Sequence, residues 1–206
     1  AAISGNLIKR AKDRIILTGI DRSEVKIGSF VSFLPNFKIT KSGKIISQGL
    51  DNALGILAAI YFLKELRSGT VVFSVQEEMG FYGAQVAARD LHPEKVVIID
   101  VTYADDPRFS VKPGAGVSFC IKDDFFSDKE MLNHAIRVCK EEKIDCQLEV
   151  LVSGKSDVAG VYEANGPIPH LFVGIPIKKM HTAYEQVNYK DFEDTLKFLS
   201  HYAKSL

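Results

Sequence analysis

The sequence predicts an α/β protein, with helices packed on a layered sheet and a β-rich piece at the N-terminal end. Three observations predict it. From residue 50 onward, short β-rich runs alternate with helical stretches, as they do when helices layer onto a sheet. Before Gly49 only short strands can be read, separated by Gly, Pro, Asp and Ser. The 206 residues, 46% hydrophobic and 25% charged, are enough for one domain with a real core, or one domain and part of another.

In the N-terminal piece, Arg14–Thr18, Phe30–Leu34 and Lys44–Ser47 are rich in β-formers. Ser42-Gly43 between two lysines reads as a hairpin turn. The stretch Asp51–Leu66 is helical and apolar nearly all round, which predicts packing on two sides. Thr70–Val75 reads as a short strand and Tyr82–Leu91 as a helix. Strands follow at Lys95–Asp100 and Gly116–Lys122, then a helix over Lys129–Glu142. Cys146–Val152 is a strand, Ser156–Ala164 a helix, His170–Ile175 a strand, and Tyr189–Lys204 a closing amphipathic helix.

Composition narrows the function. Lysine plus arginine number 26 and so do aspartate plus glutamate, so there is no basic excess to attract nucleic acid or an anionic membrane. The longest apolar run, Ala53–Leu63, falls short of the ~20 residues a membrane-spanning helix needs. The three cysteines, Cys120, Cys139 and Cys146, lack metal-ligand spacing and read as free thiols in a reducing compartment. A soluble cytoplasmic protein is the expectation.

The informative pattern is where acids and a histidine fall. Asp51 follows a strand and a glycine, Glu77 and Glu78 follow the run ending at Val75, Asp100 ends a strand, and His181 follows the last strand by a short loop. In open α/β sheets, ligand sites gather beyond the carboxyl ends of strands. Taken singly these residues have plainer roles: a helix N-cap for Asp51, dipole-favoured acids at a helix start for Glu77-Glu78, a turn cap for Asp100, a surface imidazole for His181. Taken together they crowd carboxylates that repel one another, and a divalent cation such as Zn²⁺ or Co²⁺ resolves that repulsion. The second glutamate of the pair could ligate while the first stays free to move a proton.

At these residues the sequence resembles the tetrahedral and deblocking aminopeptidases, metallopeptidase family 42, dinuclear enzymes often mislabelled endoglucanases. The stretches that carry the likeness are Gly49-Leu50-Asp51-Asn52, Phe73 to Ala84 with its Gln-Glu-Glu core, Ile99-Asp100-Val101-Thr102 with Asp105-Asp106-Pro107, Gly154-Lys155-Ser156-Asp157, and Gly174 to Thr182 with its Met180-His181; Glu185 fits the family's following acid. The resemblance implies a three-layer sandwich with a mixed, mostly parallel sheet of zinc-aminopeptidase type. Residues 1 to 49 would be part of a β-rich, PDZ-like or β-barrel, insert that builds the oligomer, and residues 50 to 206 the catalytic domain.

It also implies roles. Asp51 would bridge two divalent ions, Glu78 and His181 would complete one site, Asp100 would serve the other, and Glu77 would be the general base. Peptides would be the substrates and a homo-oligomer, a dimer building block of a larger particle, the assembled form. The family's further histidine, in a His-x-Asp motif before the β-rich insert, has no counterpart here, since the first histidine is His92. The expectation is that an upstream segment supplies it, so that only one metal site has all its ligands in these residues. The alternative is a catalytically impaired relative acting as scaffold or peptide-binding subunit. A glycosidase fits poorly: its two carboxyls stand ~5–9.5 Å apart on opposing walls, which adjacent residues do not supply.

Overall fold

The computed structural model describes residues 6–11, 14–18, 23, 25–30, 32–104, 106–151 and 154–206. They fall in two compact units, Ala1–Leu34 and Pro35–Leu206. In the first unit β1 (Asn6–Ala11) pairs antiparallel with β2 (Arg14–Thr18).

In the second unit β3 (Phe37–Ile39) and β4 (Lys44–Ser47) form the expected hairpin, with Gly43 at φ 73° in the turn. Then come α1 (Leu50–Glu65), a 3₁₀ turn (Glu77–Met79), α2 (Tyr82–Leu91), β5 (Val96–Tyr103) and β6 (Val117–Lys122). The rest is α3 (Lys129–Glu142), β7 (Cys146–Val150), α4 (Val158–Asn165), β8 (His170–Lys178), β9 (Glu185–Asn188) and α5 (Tyr189–Lys204). Two helix starts are fixed by side chains the sequence supplies: Asp128 accepts from the Glu130 and Met131 amides, and Asn188 from that of Lys190.

β8 is the spine of a seven-stranded sheet. It runs parallel to β5 on one edge and antiparallel to β6 on the other, and β6 runs parallel to β7. Its last residues pair with β9, which passes the sheet on to β4 and β3. The sheet is mixed, as expected, but among the described strands antiparallel pairs outnumber parallel ones. The compact units also divide earlier than the expected join near residue 49: β4 pairs with β9, so residues 37–47 extend the main sheet.

The period-two alternation of β8 sorts the layers. Leu171, Val173, Ile175 and Ile177 are fully buried in a core with Val101, Val117 and Phe119, covered by α1, α3 and α5. Phe198 of α5 meets Phe119 edge-on at 4.7 Å and lies 5.1 Å from Tyr202. Each such side chain contributes about 1.5–3 kcal/mol by leaving water. The alternate residues face α4, where the Tyr162 hydroxyl and His170 Nδ1 are hydrogen-bonded at 2.9 Å. Gly174 is needed on that face. A Cβ there would lie 2.9 Å from Thr102 Cγ2 and 3.1 Å from Glu149 Oε1. Without it, Glu149 reaches across and accepts from Thr102 Oγ1 at 2.6 Å.

Three expectations differ from the structure. Thr70–Val75 forms no ladder among the described residues, and Val72, Phe73 and Val75 stand exposed. The apolar helix α1 buries Leu50, Leu54, Ala58 and Phe62, while Ile56, Leu57, Ile60, Tyr61 and Leu63 stay open to solvent among those residues. Phe30–Leu34 is not a strand in its described part; Val31, Asp105 and Val152 lie outside the described residues.

Candidate metal centre

Three elements deliver donors to one point. β4 ends at Ser47, and Gly49 at φ 69° turns the chain so that Asp51 emerges at the mouth of α1, in non-helical conformation and 13% exposed at its side chain. Among the described residues its carboxylate accepts no helix amide; the Asn52 side chain does so instead, accepting from the Gly55 amide at 2.9 Å. Glu78 sits in the 3₁₀ turn, bracketed by Gln76 at φ 60° and Gly80 at φ 128°, the latter a conformation that favours glycine. His181 lies in the loop after β8 at φ 60°. Its Nε2 is 3.1 Å from Asp51 Oδ2 and 3.3 Å from Glu78 Oε1, and one donor atom from each of the three lies within 4.8 Å of the others.

Asp100 and Glu77 lie beside this cluster rather than in it. Both line the same cavity of about 350 Å³, with Asp51, Glu78 and His181. Asp100 is on the β5 face opposite Val101, and its Oδ1 accepts from the Val101 amide at 2.7 Å. Asn52 fixes α1 against this strand by donating to the Ile99 carbonyl at 3.1 Å. The rest of the wall is largely apolar, with Phe81, Leu151, Phe172 and Met180.

The electrostatics are those of crowded acids. Burial, then the Glu78 charge, pushes the Asp51 carboxyl up to about 6, with His181 pulling it back. Burial, then Asp157, Glu78 and Asp51, pushes Glu77 up to about 7. Burial holds Asp100 well above the usual carboxylate range, against the pull of the Val101 amide. Three oxygen and nitrogen donors at this spacing, with the Asp51 carboxyl raised by burial and the Glu78 charge, fit a divalent cation in donor type and in charge.

Two residues gain a place that the sequence did not assign. Glu185, 3% exposed, accepts from the Asp51 amide at 3.2 Å and from the His181 amide at 2.9 Å. One carboxylate thus ties together the backbones of two candidate ligands. Asp157 accepts from the Ser74 hydroxyl, leaves its other oxygen buried without a partner among the described residues, and raises Glu77. The signal was a residue spacing: Glu185 follows His181 by one turn-length, and Asp157 closes a Gly-x-x-Asp run.

A mixed α/β layer thus gathers an aspartate, a glutamate and a histidine beside one cavity, a donor set of the kind that holds a divalent cation. The chain belongs to the M42 glutamyl aminopeptidase family, whose profile matches residues 19–198. It is 30% identical over 184 residues to a putative aminopeptidase of Acetivibrio thermocellus, covering 85% of this chain and 56% of that protein. It is 27% identical to the lysyl aminopeptidase of Pyrococcus furiosus, covering 84% and 52%. Among solved structures, the TET1 peptidase of Pyrococcus horikoshii, which assembles into a tetrahedron or a large octahedral shell, superposes with a TM-score of 0.75 at 25% identity, over 84% of this chain and 54% of that one. The chain spans about half the length of the curated relatives it matches. No helix among the described residues is long and apolar enough to cross a membrane.

Proposed function

We propose that the protein is a metal-dependent aminopeptidase that removes N-terminal residues from peptides, with Glu77 as general base. The observation that carries this is the meeting of Asp51, Glu78 and His181 beside Glu77 and Asp100 on one cavity. Asp51, Glu78 and His181 would hold one divalent ion, Zn²⁺ or Co²⁺, and Asp100 with Asp51 would serve a second. When bound, such ions polarise a carbonyl and acidify water. Glu77, pushed up to about 7, can both accept the proton of the attacking water and return it to the leaving amine near neutral pH. Phe81, Leu151, Phe172 and Met180 receive the substrate side chain and exclude water from the carboxylates. The β1–β2 unit belongs, in this reading, to the β-rich part that builds a homo-oligomer, in keeping with the assembly of the TET1 neighbour.

The test is metal content by elemental analysis together with hydrolysis of aminoacyl-nitroanilides, on wild type and Glu77→Gln. Metal in both and turnover in wild type alone supports the reading. Metal binding with no turnover on any aminoacyl substrate, after Zn²⁺ or Co²⁺ loading, would leave the scaffold alternative instead.

A further inference from the structure

Where α3 gives way to β7, two cysteines face each other. Cys139 lies in the last turn of α3 and is 1% exposed, whereas Cys146, the first residue of β7, is partly open to solvent. The three-residue link between helix and strand is pinned at several points. Lys143 turns the chain at φ 55°, the Ile144 amide donates to the Cys139 carbonyl at 2.9 Å, and the Asp145 carbonyl accepts from the Val117 amide at 3.2 Å. Cys146 is then registered against Val117 of β6, on the core side of the sheet where α3 packs. Cys139 belongs to the buried core there and Cys146 packs against that core, so the two thiols enter the same space and each perturbs the other. Cys120 stands apart: it is three residues from Val117 along β6, hence on the opposite face, and is itself 1% exposed.

We propose that Cys139 and Cys146 form an oxidation site that closes to an intramolecular disulfide when a hydroperoxide reaches Cys146. Cys146 is the thiol that solvent reaches, and the neighbouring Cys139 thiol lowers it against the effect of burial, which favours its thiolate. The thiolate takes the terminal oxygen of the hydroperoxide, breaking its O–O bond, and becomes a sulfenic acid; the other oxygen leaves as alcohol or water. The Cys139 sulfur then attacks the Cys146 sulfur, the S–S bond forms, and the hydroxyl leaves as water with the Cys139 proton. Two thiols are oxidised by two electrons and one peroxide is reduced. Burial of Cys139 keeps outside thiols from that sulfur, while its contact with Cys146 makes it the resolving group.

The experiment treats the whole protein with a small excess of hydrogen peroxide, alkylates it under denaturing conditions and maps peptides by mass spectrometry. The expected result is loss of the mass of two hydrogens, a peptide bearing Cys139 linked to one bearing Cys146, and Cys120 alkylated. Cys146→Ser should lose that mass change entirely. Conversion of Cys146 to sulfinic acid with Cys139 still alkylated would overturn the proposal. So would a bridge to Cys120, three unreacted thiols, or a bridge persisting in Cys146→Ser.

Discussion

Replacing Glu149 by glutamine should make the protein more stable at alkaline pH and leave it little changed in acid. Glu149 is 1% exposed, and burial pushes its carboxyl from an ordinary 4.5 up to about 7, with the Thr102 hydroxyl holding it back. Below pH 4.5 both folded and unfolded chains carry the proton and the group is neutral in its effect. As pH rises from there, the unfolded chain releases its proton first, so stability falls by about 1.4 kcal/mol per pH unit. Above about 7 the loss is complete and amounts to about 3 kcal/mol, the product of the shift and that slope. Glutamine keeps the shape and can still accept from Thr102, but it has no proton to lose. Its amide faces Ser118, whose hydroxyl also holds the Glu149 carboxyl down, and any change in that contact does not vary with pH. The informative quantity is therefore the difference between variant and wild type across pH. Urea unfolding followed by far-ultraviolet circular dichroism, at steps between about pH 4.5 and pH 8, measures it. The difference should climb by about 3 kcal/mol toward stabilisation over that range. A flat difference would refute the reasoning.

Glu185→Ala, which cuts the tie between the Asp51 and His181 backbones, should weaken Zn²⁺ binding by about 10–100-fold in calorimetric titration; unchanged affinity would dismiss the tie as a positioning device. Phe198→Ala empties the contact with Phe119 and Tyr202 and should cost about 3–5 kcal/mol in urea denaturation, with a loss under about 1 kcal/mol contradicting a packed core there. Burial holds His170 below its ordinary value of 6.5, so its contribution to stability is present above about 6.5 and fades as pH falls and the unfolded chain takes the proton. His170→Asn should flatten the acid limb of the stability profile relative to wild type, and an unaltered limb would assign the acid sensitivity elsewhere.

Legibility in the sequence followed the range of the forces involved. Helices α2, α3 and α5 were readable to the residue, because their periodicity and the caps Asp128 and Asn188 are local. Thr70–Val75 has the composition of a strand, but a strand also needs a neighbour with free amides and carbonyls, and none pairs with it among the described residues. The short strand Glu185–Asn188 has the opposite history. Its composition gives no β signal, and its place comes from pairing with β4 and β8. At the site, residue type and the family resemblance pointed to Asp51, Glu78 and His181, which the structure brings together, and to Glu77 and Asp100, which line the same cavity, although the run before Glu77 is not the strand the sequence suggested. Glu185 was visible as an acid near a histidine, but a carboxylate that binds backbone amides from two distant segments is defined only by the folded chain.

That carboxylate has a consequence for redesign. Glu185 grips amide groups, which every residue except proline possesses, so its hold does not depend on what side chain stands at 51 or 181. The separation of the two anchor points is a property of the main chain. Exchanging His181 for cysteine or aspartate would present a softer or harder donor from an unmoved attachment, making this loop a place to retune metal preference one atom at a time.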